Sequence, residues 1–186
     1  MILPGILSSQ ISGHLYSYST DFYQIATATV TSGGTSTITF SSIPSTYKHL
    51  QIRAFGQSGG SGGAVDPLSL QFNGSSASGD YDTHSLSGNG SAASASSRTS
   101  YGDGVGLIGR NGNWGGCVID ILDYASTTKN KTVRALGGGD ANGSGIVQLS
   151  SYLWHPSTIA AITSIAIDPN GNGFNQYSQI ALYGAN

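Results

Sequence analysis

Thr37-Ile38-Thr39-Phe40-Ser41 and Leu50-Gln51-Ile52-Arg53-Ala54 alternate, residue by residue, between apolar and polar side chains. Successive side chains of a strand point to opposite faces. Each stretch therefore reads as a half-buried β-strand, with Leu50, Ile52 and Ala54 turned inward in the second. The same period begins at Phe22 and returns in stretches at 22–31, 66–73, 105–109, 115–124, 130–137, 145–154, 162–168 and 177–184. Asn-Gly, the strongest short hairpin signal, occurs at Asn73, Asn89, Asn111, Asn142, Asn170 and Asn172. About ten short strands divided by such turns imply an all-β fold, an antiparallel β-sandwich or barrel. Parallel βαβ units need crossover helices that this composition does not offer.

The composition points the same way. The chain has 186 residues, the size of one all-β domain. Only 9% of them are charged, against about 25% in an ordinary soluble domain. Every acid is aspartate, and lysine occurs only at Lys48, Lys129 and Lys131. Surface helices are built largely from Glu, Lys, Leu and Ala, so long helices are not expected. With a net charge of −2 and no basic stripe to neutralise phosphates, nucleic acid is not expected as a partner. No stretch is long and apolar enough for a membrane span, and no secretory leader is read at the N-terminus. Synthesis in a cytoplasm without individual secretion is the expectation. Cys117 stands alone, so no internal disulfide forms, and its neighbours mark it as a small buried hydrophobe.

Residues 1–21 form a separate arm ahead of a sandwich domain at 22–186. Leu3, Leu7, Ile11 and Leu15 recur every four positions with no charged residue among them. That spacing fits one face of a short helix, while Pro4 and Gly5 suit an extended arm equally well. An apolar segment of this kind packs on its own domain or docks into a partner. Residues 56–64 and 87–100 are rich in Gly, Ser and Ala and read as long surface loops, where binding surfaces usually lie.

Searched for chemistry, the sequence offers little. Asp168-Pro169-Asn170-Gly171-Asn172-Gly173 opens like a calcium loop, but Gln179 stands where a bidentate glutamate is needed, so a hairpin turn is the better reading. Asp80-Tyr81-Asp82 with Asp103 reads as solvated loop acids. Asp120 and Asp123 are the close carboxylate pair of one strand, and their odd separation puts them on opposite faces. Asp120 is expected to bond to backbone or to an arginine such as Arg134. No G-x-S-x-G elbow, H-E-x-x-H pair, P-loop or dinucleotide fingerprint occurs, so no catalytic residue, metal or cofactor is expected. Among the aromatics, Tyr124, Tyr152 and Trp154 read as core. Tyr81, His84, Tyr101 and Trp114 lie in or beside the long loops and are the candidate glycan contacts, since sugar faces stack on exposed rings.

At Phe40-Ser-Ser-Ile-Pro-Ser-Thr-Tyr-Lys-His-Leu-Gln-Ile-Arg53 the chain resembles a family of tailed-bacteriophage virion proteins. The resemblance continues at 120–134 and 137–145 and closes with Ser178-Gln-Ile-Ala-Leu-Tyr-Gly184; Leu3-Pro-Gly-Ile-Leu-Ser-Ser-Gln-Ile-Ser-Gly-His-Leu15 resembles the leader of such proteins. It implies a jelly-roll-like sandwich, assembly as a homotrimer, a place on the virion surface after synthesis in the host cytoplasm, and no enzymatic activity. The function it implies first is capsid decoration, with the arm anchored on the major capsid protein. The alternative is a tail-fibre or receptor-binding module, among the tail proteins of the virion, that recognises host surface glycans through its loops.

Overall fold

The computed structural model describes residues 21–99, 104–110 and 112–186. Among these the strands are β1 (Phe22–Thr29), β2 (Ile38–Phe40), β3 (His49–Ser58), β4 (Val65–Phe72), β5 (Tyr81–Gly88), β6 (Ala93–Thr99), β7 (Gly106–Arg110), β8 (Gly115–Ile121), β9 (Lys131–Asp140), β10 (Gly145–Trp154), β11 (Ile165–Asp168) and β12 (Gln179–Ala185). A single 3-10 turn at Ser78–Asp80 is the helical element among the described residues.

One layer is an antiparallel sheet in the order β1-β12-β3-β8-β9-β10-β5-β6. The other is β2-β11-β4-β7, also antiparallel, and β7 reaches β3 through a short parallel pairing at Gln57↔Gly109 and Ser58↔Arg110. β7 lies over β8 and β9. The fold is thus all-β and sandwich-like, as expected from the alternating stretches, and of jelly-roll-like kind, as the resemblance implied.

Its core follows from period two. The pairings Leu182↔Ile52, Ile52↔Ile119 and Ile119↔Ala135 draw one apolar line across four strands. It packs with Leu68, Leu70 and Phe72 of β4 and Ile165 and Ile167 of β11, all buried. Full burial of each such side chain contributes roughly 1.5–3 kcal/mol before ordering costs. Tyr124, Tyr152 and Trp154 are buried as expected. Cys117 is buried too, and desolvation pushes its thiol up to about 12. A glycine sets how closely the layers approach: a Cβ at Gly137 would stand 2.4 Å from Cys117 Cβ and 3.0 Å from Leu107 N.

Several expectations need correction. Residues 87–100 are not one long loop, because β6 pairs with β5 along its length. All of β6 is exposed, so it carries no apolar alternation to be read. Backbone pairing and the hydroxyl pairs Ser85–Ser96 (2.8 Å) and Ser87–Ser94 (2.9 Å) hold it instead. The turn at Asp168–Gly173 is real, with Asn170 and Gly171 at φ 52° and 77° and Asp168 Oδ1 accepting the Gly171 N–H at 2.9 Å. It is not a hairpin: β11 pairs with β2 and β4, while β12 pairs with β1 and β3, so the chain changes sheets there. Asn142-Gly143 does close a hairpin, between β9 and β10. Asp123 lies beyond the end of β8, in a turn at φ 48°, so it shares no strand with Asp120. Asp120 accepts from Gln51 Nε2 at 2.8 Å and faces Arg134 at 3.8 Å. Leu3, Leu7, Ile11, Leu15, Tyr101 and Asp103 lie outside the described residues.

Candidate functional site

The site grows from one consequence of the β3 alternation. With Leu50, Ile52 and Ala54 turned inward, Phe55 must turn outward, and it is 56% exposed. At the entry to β8 it meets Trp114, 39% exposed, with ring centroids 5.3 Å apart and 18° between planes. Neither ring gains a buried environment from this pairing, so together they present an aromatic step to solvent.

Trp114 forms one wall of a groove of about 810 Å³, bordered by Gly33–Ser36, Gln57 and the segment Gly171–Tyr177. The size suits a small ligand. Thr35 and Phe174 fix the floor by exchanging backbone hydrogen bonds at 3.1 and 2.7 Å. The close approach depends on Gly34, since a Cβ there would fall 2.7 Å from the Phe174 carbonyl oxygen.

Tyr177 borders the same groove and is 67% exposed. Its backbone φ is 73°, within a turn closed by the Ser178 N–H on the Asn175 carbonyl at 3.2 Å. This turn position ordinarily takes Gly or Asn, and a bulky side chain there is strained. The strained residue presents an aromatic ring that the core does not use.

Amides complete the groove. Asn175 Nδ2 donates to Gln57 Oε1 at 2.9 Å and to the Ser58 carbonyl at 3.1 Å. Gln57 Nε2 donates to the Asn113 carbonyl at 3.2 Å. Asn172 Nδ2 donates to Asp66 Oδ2 at 3.1 Å. A primary amide has two N–H donors and a carbonyl with two lone pairs, so Gln57 and Asn172 are held in place with bonding capacity left over.

Asp66 is the buried post behind this rim. Its carboxylate is fully buried and pairs with the Arg110 guanidinium and the Ser58 hydroxyl. A buried charge is tolerated only when paired and hydrogen-bonded, and here the pairing ties β3, β4, β7 and the Asn172 loop to one point. The Gly-rich stretch at 56–64 belongs to the same cluster: Arg110 Nη1 reaches the carbonyls of Ser61 and Gly62. This stretch wraps an arginine and does not form a free binding loop.

The candidate glycan contacts thus separate. Trp114 lies in the groove. Tyr81 is buried, stacked on Tyr152 at 5.4 Å, with its hydroxyl accepting the Phe72 N–H and donating to the Ser75 carbonyl, so it offers no ring to a ligand. Its loop-like surroundings concealed an inward-facing first residue of β5. His84 is exposed on the outer face of β5, beside Leu86 and Leu149, apart from the groove. Phe55, Tyr177, Gln57, Asn172 and Asn175 were not read from the sequence. Phe55 was readable from the β3 alternation, whereas the amides converge from distant segments. Among the described residues no group of three or more His, Cys, Asp or Glu side chains is placed to hold a metal.

No protein-family model matches the chain, and no curated protein matches it. Among solved structures it is similar to the CBM40 of Ruminococcus gnavus IT-sialidase bound to α2,3-sialyllactose, at 13% identity over 87% of this chain and 91% of that one, with a TM-score of 0.31. A likeness at that level carries no ligand to this chain.

Proposed function

We propose that this chain is a non-catalytic carbohydrate-binding module that receives a glycan in the groove between Trp114 and Tyr177. The observation that carries the reading is the concentration of exposed rings around fixed amides. Phe55 and Trp114 form one aromatic step, Tyr177 adds a further exposed ring at a backbone cost, and Gln57 and Asn172 border the same groove. Sugars need this combination, because one side of a pyranose is a sheet of C–H groups that stacks on a ring, while its hydroxyls both donate and accept. A nearly uncharged groove suits a neutral or weakly charged glycan. Its aromatic walls would contribute the apolar contact, and its amides would set orientation.

Among the described residues no pair of carboxylates borders the groove, so the reading is of binding without cleavage. Placed beside the resemblance to phage virion proteins, it favours the receptor-binding alternative, with a host surface glycan as partner, over capsid decoration. The anchoring role of Leu3, Leu7, Ile11 and Leu15 rests on residues outside the described part of the chain. A panel of immobilised bacterial surface polysaccharides and defined oligosaccharides tests the proposal. Retention of the purified chain on at least one glycan supports it. Binding to none, or release of reducing ends from a bound glycan, contradicts it.

A further inference from the structure

The outward face of β3 continues past the groove. The alternation that buries Ile52, Ala54 and Ser58 turns Arg53, Phe55 and Gln57 to the other side. Gln57 borders the groove, and Phe55 stacks on Trp114, which borders it too. Arg53 is the next position on the same line. Same-face positions of a strand recur about every 6.8 Å, so Arg53 stands about 14 Å along the strand from Gln57. Its register neighbours are short, Val118 on β8 and Ala181 on β12, and Phe55 has Gly116 on the β8 side. The strip from groove to arginine is open to a chain laid along it.

Arg53 is exposed, yet its guanidinium is held from several sides. The guanidinium carbon stands over the Phe22 ring at 5.0 Å and over the Tyr183 ring at 4.7 Å. Its Nε donates to Gln51 Oε1 at 2.7 Å, and Gln51 Nε2 in turn donates to Asp120 Oδ1 at 2.8 Å. The nearby acid thus engages Gln51 and faces Arg134 at 3.8 Å, and does not pair with Arg53. Among the described residues neither Nη of Arg53 has a hydrogen-bond partner, and no carboxylate forms an ion pair with it. What remains is the pair of terminal nitrogens, the planar fork that matches two oxygens of a carboxylate or phosphate. A long side chain ordinarily loses rotamer freedom when a ligand orders it, and this one is ordered beforehand.

We propose that Arg53 is the anion subsite of the glycan surface that begins at Trp114. The glycan bound there carries a carboxylate or phosphate substituent within a few sugar units of the one in the groove. This inference rests on the groove reading above and narrows it. No residue bordering the groove is charged, so the groove by itself does not separate an acidic glycan from its neutral counterpart, whereas Arg53 does.

The test reads a ratio of affinities. Uronic-acid-containing and phosphate-bearing oligosaccharides are titrated into the full chain by calorimetry, each beside its neutralised counterpart, with carboxylates converted to amides or phosphates removed by phosphatase. The wild type should prefer the charged member of at least one pair by roughly tenfold, the scale of one charge-assisted contact. The pair that shows the preference identifies the oxyanion. Arg53→Gln should bring that ratio close to one. Because the ratio is taken within each variant, a general loss of stability cancels from it. If circular dichroism shows that Arg53→Gln does not fold, Arg53→Lys serves: it keeps the charge, lacks the planar fork, and should lower the ratio. Trp114→Ala should weaken both members of the pair, since one glycan spans both places. Equal binding of charged and neutral members, or a preference that survives in the Arg53 variant, overturns the anion subsite and leaves the groove reading standing. Charged glycans held through Arg53 but unaffected by Trp114→Ala overturn the shared surface and the groove reading with it. Binding of no member of any pair overturns both.

Discussion

Phe55 and Trp114 lie ring over ring, 5.3 Å between centroids and 18° from parallel, on the solvent side of β3 and the entry to β8. The sandwich does not need this pair for its core, which is closed by other side chains. The inward turn of Leu50, Ile52 and Ala54 sends Phe55 outward, and Trp114 leads into β8 beside it. The fold thus builds an exposed aromatic surface beside a groove bordered by the amides of Gln57, Asn172, Asn175 and Gln176 and by the ring of Tyr177.

Tyr177 should show the trade between stability and recognition. Its left-handed backbone costs about 1–3 kcal/mol in a non-glycine residue. Tyr177→Gly removes that strain but adds freedom to the unfolded chain. The expected outcome is a Tm equal to or above that of the wild type, with glycan retention reduced. A fall of Tm by several degrees would mean that the ring serves packing instead.

Asp66 should behave as a buried post. Asp66→Ala leaves the Arg110 guanidinium without its carboxylate and frees Asn172. Breaking a buried pair from one side costs about 3–5 kcal/mol. Chemical denaturation should show a loss of that order, with the groove weakened as well. A loss below about 1 kcal/mol, the level of exposed pairs, would contradict the account.

Ile52 tests the assignment of faces. It is fully buried, in register with Ile119 and Leu182. Ile52→Asp puts an unpaired carboxylate into the core, which costs several kcal/mol out of a total stability of roughly 5–15 kcal/mol. The variant should be largely unfolded by circular dichroism. A wild-type melting curve would show the strand facing the other way.

Acid should act at the exposed end of the large sheet. The Asp82 carboxyl is held below its ordinary value of 3.8, first by the Thr99 hydroxyl and, against some desolvation, by His155. A carboxyl with a depressed folded pKa contributes stability that is present above 3.8 and lost as pH falls through the folded value. Tm should therefore decline below about pH 3.8 with a smaller slope in Asp82→Asn than in the wild type. Equal slopes would remove Asp82 from the account.

Where burial is one-sided, the strands were legible. β3 and β10 show it: Leu50, Ile52 and Ala54 announce their strand by alternation, and so do Tyr152 and Trp154. β6 announces nothing, because Ser and Ala on an edge exposed on both sides leave no contrast between faces. The turn at Asn170 was legible from its Asn-Gly pair, but the change of sheet it makes depends on long-range pairing. The groove was half legible. Trp114 stood out as a loop aromatic, and Phe55 followed from its neighbours. Gln57 stands over a hundred positions from Asn175 and its neighbour Tyr177, as Asp66 does from Asn172, and these groups meet only once the sheets have formed. Tyr81 misled for the converse reason: a polar, Gly-rich approach precedes a side chain that turns inward.

The central claim is that the Trp114 groove binds a glycan, and titration calorimetry with the oligosaccharide best retained on the panel tests it most directly. The wild type should bind with a favourable enthalpy and one site per chain. Trp114→Ala should keep its Tm and lose at least about tenfold in affinity, the equivalent of one ~1.4 kcal/mol contact. Unchanged affinity in folded Trp114→Ala would contradict the account, because any glycan bound by that variant would be bound elsewhere.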